Sequence, residues 1–103
     1  MAGTVAFTRK EHSGASRRHY GTFTFDSTYV NGTGEALTAA MLGMRAVDFL
    51  HLEPSEDGYI PEWDGAAVKL FFGNYDAADG PLIEAANFDA SGAVFKFEAV
   101  GRP

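Results

Sequence analysis

The residues of this sequence that could carry out chemistry are three histidines and two groups of carboxylates. His12, His19 and His51 lack the close spacing that places two imidazoles on one metal ion. Asp76-Ala-Ala-Asp79-Gly80 could hold a calcium ion but lacks the alternating oxygen ligands of an EF-hand loop. The acidic stretch 53–64 could contain a glycosidase pair, a pattern of low specificity. The sequence therefore predicts no enzyme, no metal site and no cofactor.

A basic segment with aromatic neighbours, Arg17-Arg18-His19-Tyr20, is the feature that favours nucleic-acid binding. Phe23 and Phe25 follow it, and oligonucleotide-binding barrels stack bases on aromatic side chains in a positive groove. The net charge of −6 divides into +3 over residues 1–25 and −9 over the remainder, so most of the surface would repel phosphate. We expect no nucleic-acid partner. The basic segment is either a solvated loop or a contact for an acidic partner surface.

Composition is that of a single soluble domain. A chain of 103 residues, 46% hydrophobic and 21% charged, can bury a core of its own. It has no cysteine, which excludes disulfides and thiolate metal sites, and no apolar run that would cross a membrane. Nine Phe, four Tyr and one Trp exceed the needs of so small a core, and surplus aromatics are typical of interfaces.

The first half of the chain alternates between apolar and polar residues, a pattern typical of strands. We predict an N-terminal arm and loop over residues 1–16, in which 3–10 is an edge strand or an extended arm. Residues 17–26 form a half-buried strand with His19, Phe23 and Phe25 on one face. The glycines of NGTG allow a turn, and 35–42 predicts a short helical turn that Gly43 ends. Residues 46–52 predict a central strand covered on both sides, with His51 in the core or an interface.

The second half predicts a hairpin and two further strands. Residues 59–63 and 67–72 flank Asp64-Gly65, a strong hairpin signal, and Pro61 places the first arm at a sheet edge. A loop, a short strand at LIEAAN and an alternating strand at AVFKFEAV complete the chain. The predicted fold is mainly β, a small antiparallel sandwich or barrel over residues 17–103, with one short helical turn and an extended N-terminal arm.

Several stretches from residue 20 to the end resemble a family of small structural proteins of tailed-bacteriophage heads, the capsid decoration or minor head proteins. The stretches are GTFTFDSTYVNGTGEALTAAMLGM, DFLHLEPSEDGYIPEWD, AVKLFF and FKFEAVGRP. The positions that match the family pattern are Asp26, Tyr29, Gly34, Glu35, Leu37, Thr38, Leu42, Gly43, Trp63, Asp64, Glu98, Ala99, Gly101 and Arg102. Thr33, Ala39 and Met41 depart from the pattern.

The resemblance implies a structural role on the outside of an assembled shell. It implies a virion protein, made in the cytoplasm of the bacterial host, that binds the major capsid protein at capsomer junctions and stabilises the shell. Self-association is expected, with a trimer favoured over a dimer, and no membrane or nucleic acid is involved. The expected capsid or self-interface residues are Val5, Phe7, Arg9, Lys10, Arg17, Arg18, Tyr20, Met41, Met44 and Trp63. Thr4 to Lys10 would be an arm that adds a strand to a neighbouring edge.

Two alternatives stay open at this point. A phage tail or fibre module that binds host glycan would use the same sandwich, with Trp63, Tyr59 and Tyr75 as a sugar platform. That module would be present in few copies per particle, whereas a decoration protein would be present in very many. The second alternative concerns Met41 and Met44, which either face outward as contacts or cap the core.

Overall fold

A computed structural model describes residues 3–26, 28–54, 59–72, 83–86, 89–90 and 93–103. Within these ranges the chain forms strands and turns, and no helix is present. The strands are β1 (Thr4–Ser13), β2 (Ser16–Thr24), β3 (Glu35–Ala36), β4 (Ala46–Leu52), β5 (Ile60–Trp63), β6 (Ala67–Phe72), β7 (Ile83–Glu84) and β8 (Val94–Arg102). They pair antiparallel in two sheets, which confirms the mainly β, sandwich-type fold.

The first sheet has the strand order β1-β2-β8-β4, so β2 and β8 are its central strands. Both alternate strictly between buried and more exposed residues, as a strand with one face on a core must. Phe23 of β2 lies opposite Phe95 of β8, and both are buried. The two edge strands each carry a register shift typical of a β-bulge, between Phe7 and Arg9 in β1 and between Val47 and Phe49 in β4.

The second sheet is built around β6. One edge of β6 pairs with β5, and the other edge pairs with β3 at one end and with β7 at the other. The hairpin of β5 and β6 is confirmed, with Gly65 at a φ of 106° in the turn. The Asp64 carboxylate accepts hydrogen bonds of 2.9 Å from the backbone N–H groups of Ala66 and Ala67. Pro61 lies in the edge strand β5, as predicted.

The Tyr29 hydroxyl completes the edge of β6 between the two short strands. It accepts a hydrogen bond from Leu70 N–H at 2.9 Å and donates one to the Glu84 carboxylate at 2.8 Å. Glu84 also accepts a bond from Gly32 N–H at 2.7 Å. The Tyr29 side chain is fully buried, and burial raises its pKa to about 12. A neutral hydroxyl therefore stands where the backbone of an edge strand would otherwise pair.

The core lies between the sheets and is rich in aromatic rings. The Phe25 ring meets Phe23 edge-to-face at 5.3 Å between ring centroids and lies tilted against Phe95 at 5.4 Å. Met44 is 5% exposed, and the half-buried Met41 also packs against the core cluster. Both methionines therefore face inward, the second of the two alternatives left open by the sequence.

The predicted short helical turn over residues 35–42 is not formed. Glu35–Ala36 is strand β3, and Leu37 N–H extends its pairing by donating to Ala66 O at 2.8 Å. A hydrogen-bonded turn follows and leads into Gly43, which has a φ of 76°. Helix-forming residue types predicted the wrong structure here because tertiary pairing with the hairpin overrides local propensity.

The N-terminal segment is a strand of the first sheet instead of an extended arm. β1 pairs with β2 along its whole length, and the chain turns at Gly14, which has a φ of 62°. A boundary at residue 16 would therefore cut a hairpin in two. The prediction of an edge strand, the other reading of residues 3–10, matches the structure.

The prediction that residues 46–52 form a central strand covered on both sides is wrong. β4 is an edge strand, with Phe49 53% exposed and His51 exposed on the outer face of the sheet. The apolar run suggested burial on both faces, but only Val47, Leu50 and Leu52 pack against the core cluster. His51 is therefore not a core histidine.

Candidate functional site

The hairpin of β1 and β2 brings together four of the eight Lys and Arg side chains of the chain. Lys10 lies opposite His19, and Arg18 lies opposite Glu11. Arg9, Lys10 and Arg18 are exposed, and Arg17 is half-buried. The register places Arg9 and Arg18 on the outer face of the sheet and Lys10 and Arg17 on the opposite face. Cations therefore project from both faces of the hairpin.

Neighbouring side chains orient the outer pair of arginines. The Arg9 guanidinium lies 4.4 Å from the centre of the Tyr20 ring and 3.2 Å from the Glu11 carboxylate. Arg18 lies 3.4 Å from the Glu98 carboxylate of β8. Exposed pairs of this kind contribute little stability but do restrict the direction of long side chains. Glu98 was absent from the predicted interface, although its place in the matching pattern was a signal.

Aromatic and imidazole rings hold the other two cations. Lys10 Nζ lies 4.3 Å from the centre of the Phe7 ring, and Arg17 Nη1 lies 2.6 Å from His12 Nε2. Desolvation lowers the pKa of His12, and the charges of Arg17 and Lys10 lower it further. A neutral imidazole can accept the hydrogen bond that Arg17 donates.

His19 is the buried histidine of the hairpin, 2% exposed. Its Nδ1 lies 2.7 Å from Leu42 O, which ties β2 to the turn after β3. A Cβ at Gly43 would come within 3.2 Å of the imidazole, so the turn needs glycine both for its φ and for this approach. Among the residues that the structure describes, none forms a hydrogen bond with the buried His19 Nε2. The role of His19 in the described structure is to attach the turn to the sheet.

The remaining expected interface residues divide between the hairpin and the core. Val5 and Phe7 lie on the face of β1 that points toward the core, where Val5 is half-buried and Phe7 is 37% exposed. Trp63 packs against the core cluster and donates from Nε1 to Leu37 O at 2.8 Å. Trp63 and Met44 are thus committed to the interior. The structure brings together Val5, Phe7, Arg9, Lys10, Arg17, Arg18 and Tyr20 on one hairpin, and it places Met41, Met44 and Trp63 elsewhere.

A pair of carboxyl groups lies at the opposite end of β2, beside a cleft of about 410 Å³. The buried Glu35 carboxylate accepts hydrogen bonds from the backbone N–H groups of Asp26, at 3.0 Å, and of Gly3. Burial raises the pKa of Glu35, and the nearby Asp26 carboxyl adds to the increase. The pair anchors the start of β1 and the end of β2 to β3, which is a structural role.

The acidic patterns singled out in the sequence do not assemble into a site within the described residues. Glu53 follows β4, Glu62 lies in β5, and Asp64 is used by its own turn. Glu56, Asp57, Tyr75 and the Asp76 to Gly80 segment lie outside the described residues. Among the residues described, no group of three or more His, Cys, Asp or Glu side chains could hold a metal ion. That part of the chain also contains no helix with the length and apolarity of a membrane span.

Comparison with known proteins gives no match: no family model, no curated protein and no solved structure is similar to this chain.

Proposed function

We propose that this chain is a structural protein of a tailed-bacteriophage head that binds the outer capsid surface at capsomer junctions and stabilises the shell. The observation that supports the proposal most directly is the position of β1. This ten-residue strand lies at the edge of its sheet, and no described strand pairs with its outer side. It carries Arg9 and Lys10 on a chain whose remainder is acidic.

A free strand edge can bind a partner through its backbone. The unpaired N–H and C=O groups can add β1 to an exposed strand of another protein, and the flanking side chains give specificity. The bulge between Phe7 and Arg9 divides this edge into two short segments. The N-terminal segment, Thr4 to Phe7, supplies regular backbone, and the segment after the bulge supplies charge.

Charge would direct the hairpin toward the shell. The acidic body of the protein is repelled by an acidic capsid surface, whereas Arg9, Lys10, Arg17 and Arg18 are attracted to it. Opposite forces on the two ends of the molecule favour one orientation of approach. The edge that can form backbone hydrogen bonds is then the edge that arrives first.

Self-association would multiply modest contacts. A trimer around a threefold junction would place three copies of the hairpin on neighbouring capsomers, and linked binding events strengthen one another without further contacts. A dimer at a twofold junction is the alternative. The partner in both arrangements is the major capsid protein.

The test is the number of copies of this chain on particles assembled with a charge-reversed hairpin. Phage particles lacking the chain are supplied with wild-type protein, with the double variant Arg9→Glu and Lys10→Glu, or with the control Arg45→Glu and Lys69→Glu. Quantitative mass spectrometry then gives the ratio of each chain to the major capsid protein. We expect a ratio near one or a simple fraction of one for wild type and control, and about a tenfold lower ratio for the hairpin variant.

Circular dichroism of the free variants tests whether they fold. Substitution of surface side chains should not prevent folding. Deleting residues 1–10 is a less informative change, because it removes most of β1 and uncovers β2. A wild-type copy number of a few dozen per particle or fewer contradicts shell decoration. Equal ratios for both double variants contradict the role of the hairpin.

A further inference from the structure

A shallow trough of about 430 Å³ crosses the outer face of the first sheet. Residues that alternate with the buried core positions form its floor, and Thr8 of the β1 bulge lies at one side. Bulges in both edge strands increase the local twist, which suits a face that is concave across the strands. The floor side chains that carry polar groups are Tyr20, Thr22, His51, Glu53, Lys96 and Glu98.

The polar groups of the floor are largely uncommitted. Within the part of the chain that the structure describes, the side chains of Thr22, His51, Glu53 and Lys96 form no hydrogen bond or ion pair. Glu98 differs from these residues, because its carboxylate forms an ion pair with Arg18 at one end of the trough. Unused donors and acceptors gathered on one concave face indicate a surface that can bind a polar ligand.

The composition of the floor selects among ligand classes. Lys96 is balanced by Glu53 and Glu98, so a polyanion would meet two carboxylates among the lining side chains. An apolar peptide would find polar side chains beneath it, because the exposed Phe49 does not line the trough. A neutral polyhydroxylated ligand needs closely spaced donors and acceptors and an aromatic wall, and this floor provides them.

We infer that this trough is a binding site for a neutral oligosaccharide. Glu53 accepts hydrogen bonds from sugar hydroxyls and Lys96 donates to them. Arg9 covers one face of the Tyr20 ring, 4.4 Å from its centre, and the other face packs against a pyranose ring. The site is on the face of the sheet, whereas the shell contact proposed above is along the β1 edge. The inference therefore stands independently of shell decoration.

This site differs from the sugar platform that the sequence suggested. Trp63 is committed to the core through its hydrogen bond to Leu37, and Tyr59 packs against the same core. The trough lies on the other sheet, and its uncommitted groups come from strands far apart in the sequence.

The experiment is an NMR titration of the full chain, with backbone amide shifts followed as oligosaccharide is added. Maltohexaose, cellohexaose and chitohexaose are the neutral probes at millimolar concentration, and a heparin oligosaccharide is the anionic probe. We expect shifts confined to the trough residues of β1, β2, β4 and β8 and to Glu53 with at least one neutral probe. The double variant Glu53→Ala and Lys96→Ala should weaken that binding about tenfold or more.

The matched control is Glu62→Ala with Lys69→Ala, a carboxylate and an amine that lie opposite each other in the second sheet. It should bind the neutral probe as wild type does. Absence of trough shifts with all three neutral probes overturns the inference, and so does equal weakening by the control. Tighter binding of heparin than of every neutral probe overturns the ligand class. A loss of sugar binding with unchanged copy number on phage particles would keep the two proposals separate.

Discussion

The strands within the first sheet and the strands within the second sheet are joined by different kinds of hydrogen bond. In the first sheet, β1, β2, β8 and β4 pair through long backbone ladders. In the second, β3 and β7 contribute two residues each, and side chains complete the pairing. The Tyr29 hydroxyl, Trp63 Nε1 and Asn31 Nδ2 each bond to the backbone of a neighbouring segment. Side chains thus supplement the β5–β6 backbone ladder in the second sheet, whereas the strands of the first sheet pair through backbone.

This difference determines which sheet can accept new surface side chains without losing strand pairing. The outer face of a sheet held by backbone ladders accepts many side chains, because the ladder does not depend on them. A sheet completed by side chains loses pairing when those side chains change. Both proposed binding surfaces, the β1 edge and the trough, belong to the first sheet.

The comparison is tested most strongly by removing one hydroxyl from each sheet. Tyr29→Phe removes the acceptor of Leu70 N–H and one of two donors to the Glu84 carboxylate, which keeps its bond from Gly32 N–H. We expect a loss of about 2 kcal/mol in the free energy of unfolding. Tyr20→Phe removes a hydroxyl from the outer face of the first sheet and should change stability by less than about 0.5 kcal/mol. Urea denaturation measures both. Equal losses would mean that the two sheets do not differ in this respect.

Ionisation of the buried Glu35 carboxyl should change the stability of the protein by less than Tyr29→Phe does. Its pKa is raised on folding by burial, so its contribution to stability is complete below the unfolded value and is lost as pH rises through the folded value. Glu35→Gln keeps an acceptor for Asp26 N–H and removes the titration. The melting temperature of the variant relative to wild type should therefore increase from about pH 4.5 to pH 8.

Glu98→Gln serves as the control in the first sheet, since Glu98 pairs with Arg18 on a half-exposed face. Its melting temperature relative to wild type should not rise over the same range. Parallel profiles for Glu35→Gln and wild type would show that the buried carboxyl has no part in the pH dependence.

The smallest effect belongs to the Arg18–Glu98 ion pair of the first sheet. Arg18 and Glu98 are separated by 3.4 Å, and the Arg18 side chain is 50% exposed. A double-mutant cycle with Arg18→Ala and Glu98→Ala should give a coupling free energy of about 0.2 to 1 kcal/mol that decreases with added salt. A coupling as large as the loss expected from Tyr29→Phe would contradict the view that the first sheet depends on its backbone.

Local signals predicted the elements that depend on neighbours in sequence. The Asp64-Gly65 turn, the edge position of Pro61 and the alternating strands β2 and β8 all follow from short-range patterns. The wrong predictions concern residues whose secondary structure depends on pairing with strands distant in the sequence. Glu35 joined a strand because its backbone pairs with Val68, and β4 became an edge because β2 pairs with the other side of β8.

The two candidate surfaces also differ in whether they depend on residues close in sequence or on residues far apart in it. The basic hairpin could be read from the sequence, because its charges cluster within a short stretch. The trough could not, since Tyr20, His51 and Lys96 become neighbours only through the strand order. Many residues behind the resemblance to phage head proteins have structural roles here, including Tyr29, Glu35 and Gly43. Such residues report on the fold more directly than on a partner.

The bulges in the two edges of the first sheet have a consequence for the free protein at high concentration. Strand edges of soluble proteins tend to join to one another and to start aggregates unless their regularity is broken. β1 is interrupted after Phe7 and carries Arg9 and Lys10, and β4 is interrupted at Asp48. In β5, Pro61 removes a donor. These interruptions should limit irregular edge-to-edge aggregation of the free chain at high concentration.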